Sequence, residues 1–249
     1  MAAGKSGRGL ATRGPRERAH SSECHRWPGH DHKPHWLGQR PQVYSLARML
    51  LIGVNRSPYT RRVAITLEAY GIVYQQQAIS GFGSRTEVRG ANPLGRIPAL
   101  VLDDGEVLVD SAAIIDHLDE VHGGGRALTP AAGADRRAVL RVAALMMGAC
   151  DKLLAAAYER NHHPAEKVHQ PWIDDCIAQA THALSSVDAM IEAPCRYLLL
   201  DRLTQADVTA FIAERLARGL GVDMPARMPR LHAHARKLLE ERPFRATEP

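Results

Sequence analysis

Three short stretches carry residue types that can hold a small charged or peptide-like molecule. In "SPYTRRV", Ser57 and Pro58 open a helix, serine as N-cap and proline at the first helical position. A hydroxyl there lies beside unpaired N–H groups and the positive end of the helix dipole, a place for an anion or a thiolate. For a lone Ser-Pro pair, an ordinary cap is the commoner meaning. In "NPLGRIPALVLDDGEVLVDSAA", Pro98 stands where an apolar strand begins. Proline cannot donate to a sheet ladder, so it is confined to edges, first residues and bulges. A cis Ile97–Pro98 bond would turn the chain and leave the Ile97 backbone free to pair with a peptide ligand. Only about 5–6% of such bonds are cis, so the sequence physics alone leaves the isomer open. The third stretch is Asp110-Ser111, where a strand gives way to a helix. Ser111 is read as the cap and its N–H groups as a carboxylate site, with Asp110 accepting from an ammonium.

The elements around these residues follow from patterning. "MLLIGV" reads as a buried strand, and Val63, Ala64 and Leu67 as the apolar face of a helix that Gly71 ends. "IVYQQQAI" is a second strand and "GFGSRTEVRGAN" a loop with a single helical turn. "IPALVLDDGEVLV" is two strands joined at Asp104-Gly105, a hairpin signal. "DSAAIIDHLDEVH" is a helix closed by Gly123, Gly124 and Gly125. The order β-α-β-loop-β-β-α fits a small mixed sheet covered by helices. After Thr129-Pro130 the apolar residues recur at helical spacing only. The stripes are Val139, Val142, Ala143, Met146, Cys150, Leu153 and Leu154, then Ile173 to Ile191, Val208 to Leu216, and Leu231, Ala235 and Leu238. They are taken as the core of an all-helical bundle.

The chain has 249 residues, 45% hydrophobic and 24% charged, enough for one large domain or two small ones. Its formal charge of +5 sits in residues 1–47, which hold eight Lys or Arg against three Asp or Glu. The rest is neutral, with no net basic character to attract nucleic acid or an anionic membrane. No apolar run approaches a membrane span, and no signal-peptide pattern is present. Residues 1–47 are read as a disordered basic extension. The rival readings are a transit peptide, which lacks a clear amphipathic face here, and an upstream start with Met49 as the true beginning. His25, His30, His32 and His35 in it are read as incidental, and no metal is expected. Cys24, Cys150, Cys176 and Cys195 form no C-x-x-C pair, which suits a reducing cytosol. The boundaries expected are an extension over 1–47, a first domain over 48–125, a linker over 126–133 and a helical domain over 134–249.

Taken together, "SPYTRRV" and "NPLGRIPAL…LVDSAAIIDHL" resemble the glutathione S-transferase superfamily, over residues 49 to about 245. The resemblance implies a thioredoxin-like first domain followed by an all-helical one. It implies a cis Pro98, Ile97 pairing with the cysteinyl backbone of glutathione, and Asp110 and Ser111 holding the γ-glutamyl group. Ser57 falls where serine-type members carry their active-site serine. "LTQADVTAFI" resembles the family's capping box, Thr204 capping a helix and Asp207 reaching back to it. The pattern departs at Leu200, where many relatives carry glycine. Glutathione is implied as co-substrate, with no metal, in a cytoplasmic, detoxifying homodimer.

By this resemblance Ser57 is the catalytic residue. Arg96 is placed equally between an exposed arginine and a contact to the glycine carboxylate of glutathione. Thr60 is set aside as hydrogen-bonded within its helix. Tyr59, Cys150, Leu154, Tyr158 and Arg160 are named as weak candidates for the pocket of a small electrophile. The leading reading is a glutathione transferase. A zeta-like maleylacetoacetate isomerase is the enzymatic rival, but it expects Ser-Cys where Pro58-Tyr59 stand. A cysteine-nucleophile member is disfavoured by Ser57. The non-enzymatic rival is a binding or regulatory protein that keeps the fold.

Overall fold

The computed structural model describes Met1 and residues 49–81, 85–192 and 195–249. The expected extension, with Cys24 and its five histidines, otherwise lies outside the described residues. Strand β1 (Met49–Ile52) leads into helix α1 (Pro58–Tyr70), then β2 (Tyr74–Gln77), the short α2 (Arg85–Arg89), and the hairpin β3 (Ala99–Val101) and β4 (Val107–Val109). Helix α3 (Ser111–Leu118) follows. The sheet order is β2-β1-β3-β4, with β1 parallel to β2 and the other neighbours antiparallel.

Alternation along the strands sorts the side chains by face. Leu51 and Leu100 pack with Val63, Ala64 and Leu67 of α1 and Ile114, Ile115 and Leu118 of α3. Their neighbours Ile52, Ala99 and Val101 form a smaller cluster with Ala91. Gly71, at φ +68°, closes α1 and donates to the carbonyls of Glu68 and Leu67. Gly105, at φ +94°, makes the hairpin turn.

Among the described residues, everything beyond β4 is helical or irregular. The long helices are α4 (Gly133–His162), α5 (Gln170–Met190), α6 (Gln205–Gly219) and α8 (Pro229–Leu238); α7 (Met224–Arg227) and α9 (Arg242–Ala246) are short. Their shared core holds Met146, Leu153, Leu184, Phe211, Leu231 and Phe244, and Ile65 of α1 joins it. Helix α1 thus has one face under the sheet and the other in the helical region.

Polar contacts fix that junction. Arg62 Nε donates to Gln205 Oε1 at 3.1 Å, and Gln205 Nε2 donates to Thr66 Oγ1 at 2.8 Å. Asp119 accepts from the Tyr70 hydroxyl and from the N–H groups of Leu128 and Thr129 at 3.1 and 3.0 Å. The segment between the two regions is therefore held down along residues 127–129, which are buried. The expected capping box is present: Thr204 caps α6, and Asp207 Oδ2 accepts from the Thr204 N–H at 2.9 Å.

Candidate active site

Ser57 caps α1, and its Oγ accepts from the Thr60 N–H at 3.4 Å. This engages a lone pair and leaves the hydroxyl proton to donate outward. The approach from β1 is tight. Gly53 has φ +142°, and a Cβ there would lie 2.5 Å from Thr60 Oγ1. Thr60 is fully buried and its hydroxyl has no partner among the described residues, which corrects the expectation that it bonds within the helix.

The Ile97–Pro98 peptide is cis, and the ladder between β1 and β3 begins only at Ala99. No backbone hydrogen bond reaches Ile97 among the described residues. Upstream, Asn92 Nδ2 donates to the Arg96 carbonyl at 2.8 Å.

A cleft of about 1030 Å³ opens between this bend, the start of α1 and the C-terminal half of α4. Ser57, Tyr59, Arg96, Ile97, Leu154 and Tyr158 all line it. Sequence reasoning missed five polar groups in its wall: Arg56, Ser80, Arg85, Asp151 and His162. On α4, residues 151, 154, 155, 158 and 162 recur at helical spacing, so one stripe faces the cleft.

Two of the expected pocket residues are not there. Cys150 is fully buried in the helical core, where burial pushes its thiol well above its ordinary value. Arg160 is exposed and absent from the cleft wall. The physical reason is the same: a helical residue turns by about 100° per step, and both lie off the facing stripe.

Tyr59 donates its hydroxyl to Asp151. Burial first, and then this carboxylate, push its pKa far up, so the phenol keeps its proton. That proton is committed to Asp151 and cannot also be offered to a ligand in the cleft. Thr60 is buried and does not line the cleft, so among the hydroxyls at the start of α1 that do line it, Ser57 is the one with a donor to spare. Arg56, Arg85 and Arg96 bring positive charge to the same cleft.

Asp110 and Ser111 do not line the cleft. The hairpin pairs Ala99 with Val109, and one residue further this register sets Pro98 opposite Asp110. The cap of α3 is Asp110, not Ser111: Asp110 Oδ1 accepts from the Ala112 N–H at 2.8 Å, and Ser111 is the first helical residue, buried. Asp110 holds φ +73°, uncommon outside glycine. Among the described residues, no group of His, Cys, Asp and Glu is arranged to hold a metal ion, and no helix is long and apolar enough to cross a membrane.

Comparison with known proteins agrees with this geometry. The family profile described as "Glutathione S-transferase, N-terminal domain" matches residues 51–126. A glutathione transferase family member from Pseudomonas fluorescens Pf-5, solved with bound glutathione, is 30% identical; the match covers 81% of this chain and 98% of that one, with a TM-score of 0.70. A glutathione S-transferase from Methylobacterium radiotolerans, in complex with glutathione sulfonate, is 25% identical over 82% of this chain and 95% of its own, with a TM-score of 0.75. The maleylacetoacetate isomerase of Pseudomonas aeruginosa is 39% identical over 77 residues, 29% of this chain and 36% of that protein. With the sheet order, the Ile97–Pro98 bend and a solved relative matched over nearly its whole length, the chain belongs to the glutathione S-transferase superfamily.

Proposed function

We propose that this protein binds glutathione across the Ile97–Pro98 bend and activates its thiol at Ser57 for attack on a small electrophile. The observation that carries the reading is the placement, in one cleft, of a spare serine donor at a helix N-terminus and an unpaired backbone at Ile97. The relatives solved with glutathione or its sulfonate support it.

Glutathione's cysteinyl backbone would pair with Ile97, and its γ-glutamyl group would lie toward Asp110 and the first turn of α3. The free thiol has a pKa near that of cysteine, about 8.5. Lowering it by two units requires about 2.7 kcal/mol of preference for the thiolate. A charge-assisted hydrogen bond from Ser57 supplies about 1.5–3 kcal/mol. The α1 dipole adds up to about 2 kcal/mol in a partly buried geometry. The thiol proton leaves to solvent, and the thiolate forms a carbon–sulfur bond as the leaving group departs or the acceptor takes up a proton. Leu154 and Tyr158 present an apolar wall for the electrophile opposite Ser57. A cytoplasmic, dimeric detoxifying enzyme is the setting we propose.

The match to maleylacetoacetate isomerase favours a second reading, a glutathione-dependent cis-trans isomerase. Pro58-Tyr59 stand against it. A panel of an activated aryl halide, a peroxide and maleylacetoacetate, assayed with wild type and Ser57→Ala, separates the two. Conjugation lost in Ser57→Ala with glutathione still bound supports the transferase. Turnover of maleylacetoacetate alone selects the isomerase. Glutathione binding without any turnover makes the protein a binding module.

A further inference from the structure

Asp151 is an acid that faces the cleft without a base. On the α4 stripe it stands one turn before Leu154 and two before Tyr158. It accepts the Tyr59 hydroxyl, and among the described residues no other side chain bonds to it and no basic group pairs with it. Lys152, next along the helix, stands instead over the Trp172 ring, 5.6 Å from its centre. The phenol of Tyr59 keeps its proton, so that bond leaves the negative charge of the carboxylate in place.

Two tyrosines line the cleft within two turns of this charge, Tyr59 from the head of α1 and Tyr158 from α4. The Tyr158 ring leans on His162, their centroids 5.5 Å apart. A carboxylate beside aromatic rings is chemistry for an organic cation, drawn by charge to the first and by the ring quadrupole to the others. A metal ion needs more oxygen ligands than one carboxylate offers, and no metal-holding group exists among the described residues. The arginines of the cleft lie elsewhere in its wall, Arg56 just before the cap of α1, and Arg85 and Arg96 on the approach to Ile97. Glutathione as thiolate brings two carboxylates and the sulfur charge against a single ammonium, and so answers those arginines. The electrophile then meets a thiolate at one end and Asp151 at the other.

We propose that Asp151, with Tyr59 and Tyr158, selects electrophiles that carry an organic cation, such as a quaternary ammonium, near the reacting carbon. This rests on the reading that places glutathione across the Ile97–Pro98 bend with its sulfur at Ser57. Asp151 sets specificity and takes no part in making or breaking bonds.

Acrylate esters test this. In each, the thiolate bonds to the terminal carbon, the C=C electron pair moves to the α-carbon, and that carbon takes a proton from water. The choline ester is the cationic probe, the neohexyl ester its uncharged isostere and the sulfoethyl ester the anionic control. Each kcat/KM is divided by the uncatalysed rate constant with glutathione. In the wild type the choline ester is expected to exceed the neohexyl ester by about five- to tenfold, the worth of an exposed ion pair with a cation–π contact. Salt should shrink that preference. Asp151→Asn keeps an oxygen for Tyr59 and should bring the ratio close to unity, and Asp151→Glu, which restores the charge, should recover part of it. A merely structural role would lower both rates and leave their ratio alone. The glutathione conjugates of the two esters should show the same preference as calorimetric affinities, without turnover. Equal treatment of the two esters or their conjugates by the wild type, preference for the sulfoethyl ester, or a ratio unchanged in Asp151→Asn would overturn the inference and leave thiol activation at Ser57 standing. Failure of glutathione itself to bind would overturn that reading and this inference with it.

Discussion

Ser57 and Tyr59 stand two residues apart at the head of α1, and their partners decide their roles. Tyr59 gives its proton to Asp151, whereas Ser57 only accepts from Thr60 and keeps its own to donate. Tyr59→Phe is therefore expected to leave the pH profile of thiolate formation where it is, although it shifts the affinity for the electrophile. A profile displaced upward by a unit or so would transfer the donor role to Tyr59. The cysteines give a separate check. Burial raises the Cys150 thiol and leaves it no access to water, whereas Cys195 is half-buried. Peptide mapping after alkylation at mildly alkaline pH should find Cys195 modified well ahead of Cys150, the thiolate being the reactive form. Ser57 was legible because cap, proline and helix are adjacent in sequence. Asp151 was not, because the contact that defines it spans ninety-two residues.

Element by element, the cap positions carry the argument. Gly53 turns the chain from β1 toward Ser57 at φ +142° with Thr60 pressed against it. Gly53→Ala should destabilise the protein by about 2 kcal/mol or more and weaken glutathione binding with it, read by thermal unfolding and titration. A variant as stable as wild type would mean the turn relaxes without moving α1. Thr204→Ala should cost about 1 kcal/mol, the usual worth of a lost N-cap. Asp207→Ala should cost more. It removes the acceptor for the N–H groups of Thr204 and Leu198, and leaves His234 beside an emptied site. The Thr204-x-x-Asp207 box was readable because both ends of each bond lie within four residues. At the head of α3, Asp110 and Ser111 are both good caps in successive positions. Local chemistry could not choose between them; the left-handed backbone at Asp110 did.

Across the whole molecule, α1 belongs to two cores at once, and the segment 127–129 is tied to Asp119 and Tyr70. The sheet region and the helical region should then unfold together. Asp119→Ala strips acceptors from two buried N–H groups and one tyrosine. It is expected to cost about 2–4 kcal/mol and to broaden or split the denaturation curve. An unchanged single transition would show that the other contacts suffice. The division into a mixed sheet and a helical bundle was legible from the change of hydrophobic period alone, since strands and helices expose their apolar residues so differently. How α4 turns its face to the cleft was not. That rotation is set by packing against α5 and α6, and it is why Leu154 and Tyr158 reach the cleft while Cys150 and Arg160 do not.

The central claim is that Ser57 stabilises the thiolate of bound glutathione. The direct measurement is the ultraviolet absorbance of that thiolate as pH is raised, in wild type and in Ser57→Ala. A depressed thiol pKa means the thiolate persists to lower pH than in free glutathione. The wild type should titrate about two units below the free value of about 8.5, and Ser57→Ala should return upward by about one to two units while still binding glutathione. Superimposable curves for the two proteins, both with glutathione bound, would contradict the account.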